Sequence, residues 1–170
     1  MDVLRSIESH ILPSTNISSY GTPSASVAIL DERGIETHVF TNGSENSETR
    51  YLADSVTKSS TAVAIGRLVD RGLLKFDSVI TDIFDLQDFL HPPDSTGLIE
   101  HVTIEKLLAH TSGLVHNLAC DDPSHSPDSP EKHCVRLEMF PGSRWYYSGH
   151  VFAILQVVLR NFVQNHFKAS

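Results

Sequence analysis

The sequence predicts an α+β chain, and three observations carry the prediction. Two β-rich runs, "SASVAIL" and "IETHVF", flank "DERG", four residues that end in glycine. That is a hairpin pattern, placed in a β-hairpin region over 21–50. From position 54 the apolar period changes to 3.6, which predicts a helix over 54–72. The same period returns near the end of the chain and predicts a C-terminal helix over 147–167.

Length and charge bound the rest. The chain has 170 residues, the size of one domain, and 1–170 is expected to form a single partial domain. It is 40% hydrophobic, enough for a core. Its 21 acidic side chains outweigh 13 basic ones, for a net charge of −8. A chain so charged has no electrostatic footprint for nucleic acid, and anionic membrane surfaces repel it. No segment approaches the roughly 20 apolar residues of a membrane span. The start, "MDVLRSIESHILP", has an acid at position 2 and no continuous apolar core, so it does not read as a signal peptide. The expectation is a cytoplasmic protein.

Taken in order, Val3, Leu4, Ile7, Ile11 and Leu12 recur at helical spacing until Pro13. "STNISSYGTPS" reads as loop. The hairpin follows, and a lone two-stranded ribbon is marginal in water, so it needs further strands or a helix behind it. In the helix over 54–72, Asp54 or Ser55 is placed to serve as N-cap and Gly72 as the residue after the C-cap. Val56, Val63, Leu68 and their Ala/Ile neighbours suggest a broad apolar face. "KFDSVITDIFDL" reads as a docked segment, "HPPDSTGLIEH" as loop and "TIEKLLAH" as a short helix capped by Thr103. Residues 115–135 form a long polar loop, the kind that is often functional. It contains Cys120, Cys134, His125 and His133. Free thiols, a disulfide and a zinc site are all compatible with that spacing, which matches no compact ligand pattern. In the final helix Val151, Ile154, Leu155, Val158, Leu159, Phe162 and Val163 follow i, i+3, i+4, i+7.

The chemistry starts at "SVTK". Residues i and i+3 share a helix face, so Ser55 and Lys58 meet. Unpaired N–H groups and the helix dipole at a first turn favour an alkoxide, and an adjacent ammonium adds to that. A desolvated lysine would instead accept the serine proton as a neutral amine. The plain alternative is a capping serine beside a solvated lysine.

Four blocks in order make the nucleophile the better reading. "GTPSASVAILDERG", "YLADSVTKSSTAVAIGRLVDRGLLKFDSVITDIF", "VTIEKLLAHTSGL" and "FPGSRWYYSGHVFAILQVVL" resemble the serine β-lactamase and penicillin-binding-protein family. The likeness is closest to its class C β-lactamase, esterase and transesterase branch. The resemblance implies a β-lactamase/transpeptidase-like fold, with Ser55 as the acylated nucleophile, Lys58 as its activator and Tyr147 as general acid/base. It gives His110 and Gly113 of "AHTSGL" a scaffold role, His110 binding last-turn carbonyls. His116, His125 and His133 are left as polar loop residues. The family's triplet after the tyrosine ends in Asn, where this chain has Gly149. The family also has a late strand carrying K-T-G or H-x-G, and no such motif occurs in these residues. The resemblance therefore implies a fold that lacks its C-terminal strands. It implies catalysis on a small-molecule acyl substrate (an ester, thioester or amide) with no metal or cofactor. Exposed strand edges would suit a complementing chain or a homo-oligomer. The competing expectation is an inactive remnant or interaction module, and a metal-binding loop around Cys120 and Cys134 is a third.

Overall fold

A computed structural model describes residues 24–32, 34–41, 45–46, 48–86, 89–90, 94–116 and 135–167. The first helical run, Cys120, Cys134, His125 and His133 lie outside them. The chain divides into two units, 1–52 and 53–170.

In the first unit, β1 (Ser24–Asp31) and β2 (Gly34–Thr41) pair antiparallel in one register, from Ser24 opposite Thr41 to Asp31 opposite Gly34. Gly34 takes a positive φ of 128°, which the turn requires and a side chain would resist. The Tyr51 hydroxyl donates to Ser24 Oγ and ties the end of the unit to the start of β1.

The second unit is built on two helices, α1 (Thr57–Asp70) and the longer α3 (Gly149–Phe167), which pack together. The short α2 (Ile104–Leu108) and β3 (Leu114–His116) also lie against α3. β4 (Val135–Leu137) pairs antiparallel with β3. Ile65 and Leu68 from α1, Ile104 and Leu107 from α2, and Val151, Ile154, Leu155 and Val158 from α3 form the core. Ile80 and Leu86 of the docked segment, with Leu90 beyond it, are also part of the core.

The ends of α1 are made differently from each other. At the C-terminus Gly72, at φ 67°, donates its N–H to the Val69 carbonyl, and Leu73 N–H reaches Leu68 O at 3.0 Å. This is a Schellman motif, and it satisfies carbonyls the helix leaves open. At the N-terminus neither Asp54 nor Ser55 caps the helix through its side chain; α1 is entered through a 3₁₀ turn, Asp54–Val56. The predicted apolar face is buried only in part. Leu68 and the neighbouring Ile65 lie in the core with Thr61, whereas Val56 and Val63 are 71% and 62% exposed. Thr61 tolerates burial because its hydroxyl donates to the Thr57 carbonyl.

"GLIEH" is ordered rather than loop. Leu98–His101 form a 3₁₀ turn, entered through Gly97 at φ 74°. Asp94 anchors it, accepting from the Thr96 backbone and hydroxyl and from Ile99 N–H. Burial raises the Asp94 pKa, but these donors outweigh it and leave the carboxyl below its usual value. Thr103 caps α2 as expected, accepting Lys106 N–H.

Candidate active site

Ser55 sits on the 3₁₀ turn ahead of α1, exposed, and the preceding Asp54 holds a left-handed φ of 44°. That conformation is unusual for a residue with a side chain, though Asp is among the more tolerant. Ser55 makes no capping bond in this turn, which leaves its hydroxyl for other partners. Lys58, one turn on, donates from Nζ to Ser55 Oγ at 3.0 Å. The Tyr147 hydroxyl, 92 positions away, donates to the same oxygen at 2.8 Å. The structure thus brings together all three residues that the sequence singled out.

Tyr147 reaches this position through the "HTSG" block. The segment between β4 and α3 is laced to it by main-chain hydrogen bonds. Glu138 N–H meets Gly113 O, Gly142 N–H meets Thr111 O, and Tyr146 N–H meets His110 O at 2.8 Å. Gly113 must be glycine: its φ is 80°, and a Cβ there would collide with the Met139 carbonyl. Two of the sequence blocks are therefore halves of one local structure.

The phenol is in a cationic environment. Lys58 Nζ lies 5.1 Å from the Tyr147 ring centre and 5.7 Å from that of Phe152. Hydrogen bonding from Lys58 first, then from Ser55, together with the Lys58 charge, pulls the Tyr147 pKa below its usual 10. Slight burial and Asp54 oppose this without reversing it. A hydroxyl proton rotates freely, so Ser55 donates instead once the phenol is ionised.

His110 meets a last-turn carbonyl, that of Leu107, through its backbone N–H and not through its side chain. It adopts φ 57°, its Nδ1 accepts the Ser148 N–H at 3.3 Å, and its ring lies 4.6 Å from that of Tyr147. Nor is His116 a loop residue: it ends β3, and its Nδ1 lies 2.9 Å from Nδ1 of His150 on α3. Neither pairing has a sequence signal, because both join residues more than 30 positions apart. Gly149 leaves open space where the family's Asn side chain would project. The Ser148 hydroxyl is buried and has no hydrogen-bond partner among the described residues.

Among the described residues no group of three or more His, Cys, Asp or Glu is arranged to hold a metal ion. No described helix is long and apolar enough to cross a membrane.

No curated protein matches the chain. A solved structure does: the crystal structure of penicillin binding protein from Bacillus halodurans, at TM-score 0.60 and 23% identity. The match covers 88% of this chain and 48% of that one, so the chain spans about half the length of its structural relative. At that identity the likeness shows the fold, which is β-lactamase/transpeptidase-like and mixed α/β. The family model described as Beta-lactamase matches residues 8–162, nearly the whole chain and all three residues around the Ser55 hydroxyl, and the chain belongs to that family.

Proposed function

We propose that the protein is a serine hydrolase or acyltransferase that works through an acyl-serine at Ser55. One observation carries the reading: a single exposed serine oxygen receives both Lys58 Nζ and the Tyr147 hydroxyl. A lone capping serine has no use for two such partners. In the reaction, Ser55 Oγ bonds to a substrate carbonyl carbon while its proton passes to the ionised Tyr147 oxygen. Lys58 supports the phenolate before transfer. The tetrahedral adduct then collapses, and Tyr147 returns the proton to the departing alcohol, thiol or amine. Water or an alcohol attacks the acyl-serine with Tyr147 again as base, and Ser55 is restored. The substrate class we infer from the family resemblance is a small ester, thioester or amide, such as a natural-product intermediate.

A second reading, a non-catalytic member of the family, is favoured by Gly149, which offers substrate no side chain. One experiment separates the two. A fluorophosphonate probe should modify the wild-type chain at Ser55, seen as an added mass on the Ser55 peptide, and should leave Ser55→Ala untouched. A folded wild type that never labels would make the second reading the correct one.

A further inference from the structure

His110 brackets Tyr147 on both sides. Its carbonyl accepts the Tyr146 N–H and its ring nitrogen accepts the Ser148 N–H, so the backbone N–H groups of both neighbours of Tyr147 are held by one residue. Its ring packs against that of Tyr147 at 4.6 Å, with Phe152 at 5.1 Å and Trp145 at 6.2 Å around it. A backbone N–H only donates, so Nδ1 must carry a lone pair and the ring proton sits on Nε2. His110 holds this arrangement at φ 57°, a conformation that costs a histidine free energy and persists where surroundings enforce it.

We propose that His110 is a positioning residue for Tyr147 that works only as the neutral imidazole, so that its protonation releases Tyr147 from Ser55 and silences the site in mild acid. The proposal rests on the acyl-serine reading for its effect on rate, but not for its effect on Tyr147. Protonation places an N–H on Nδ1 that points at the Ser148 N–H, donor against donor. It also sets a cation near Lys58, the charged group facing the ring from α1. The other titratable group against the ring is the Tyr147 phenol itself, and Lys106 on the preceding helix, α2, directs its amine to the His101 carbonyl. Burial, then the Lys58 charge, hold the His110 pKa below 6.5, so the ring is neutral near pH 7. The stability it lends is full above about pH 6.5 and falls as pH drops through its lowered pKa.

The test is the rate of fluorophosphonate labelling of Ser55 against pH. With Tyr147 as base, the logarithm of the rate rises with a slope of about one; below the His110 pKa a second proton makes the slope about two. His110→Asn tolerates a positive φ, offers an acceptor to Ser148 and does not titrate, so its slope should stay near one throughout. His110→Gly accepts the same φ but offers no acceptor, and its labelling should fall about 10- to 100-fold, the scale of a small misplacement of a reacting group. A second readout needs no catalysis: tyrosinate absorbance, taken as the difference from Tyr147→Phe. Its midpoint should move up towards 10 in His110→Gly and stay low in His110→Asn. A wild-type slope of one throughout, or a His110→Gly chain with unchanged labelling and midpoint, would overturn the proposal. If wild type never labels while the midpoint still moves in His110→Gly, the positioning role stands and only the acyl-serine reading falls.

Discussion

By every local rule Ser55 is an ordinary serine at a helix start, and local rules would give its oxygen to a nearby backbone N–H. The structure gives it to Lys58 and Tyr147 instead. Lys58 was legible in the sequence, because i, i+3 spacing fixes the meeting of the two side chains. Tyr147 was legible only through family likeness, since no periodicity links positions 92 apart. His110 was legible as a scaffold residue but not in its side-chain partner, because a histidine's choice between carbonyl and N–H depends on its tautomer and on a segment distant in the sequence. At this scale the decisive variant is Lys58→Met. It removes the hydrogen bond and the charge that hold the Tyr147 pKa down. The tyrosinate midpoint should rise back towards 10, and each unit of that rise should cost about tenfold in labelling rate near neutral pH. A midpoint that does not move would mean that Lys58 does not tune the phenol.

The elements were more legible than the faces they bury. The hairpin, the short capped helix and the long final helix follow from turn residues, a capping threonine and unbroken apolar periodicity. The buried side of α1 followed only in part. Val56 and Val63 looked like core, yet the buried residues are Leu68, its neighbour Ile65 and Thr61. A helix rich in small and β-branched residues carries two plausible stripes, and only its neighbours decide between them. The choice has a measurable consequence. Ile65→Ala or Leu155→Ala should lower stability by about 2–5 kcal/mol in urea unfolding, the range for emptying a packed core site. Val63→Ala should change it by less than about 0.5 kcal/mol, as exposed positions do. Equal losses at positions 63 and 65 would mean that α1 faces the other way.

For the whole molecule, family likeness outran physics. Composition and charge argued against nucleic acid and anionic membranes but named no fold, and the pattern of strands and helices was compatible with many α+β topologies. Four blocks in order narrowed it, and the family and structural matches agree. What those blocks could not convey is that "HTSG" and the tyrosine segment are hydrogen-bonded to one another, a fact of three dimensions. The 92-residue gap between Ser55 and Tyr147 has a last consequence. Holding two such distant groups at hydrogen-bond distance carries a loop-closure cost that only a completed core offsets. In the unfolded chain Ser55 is an alcohol like any other, so on the acyl-serine reading the nucleophile exists only as long as the tertiary structure does, and its reactivity would report on folding. The rate of Ser55 labelling should collapse over the same range of urea as the helical circular dichroism. A rate that outlasts the helices would show that the neighbouring lysine alone is enough.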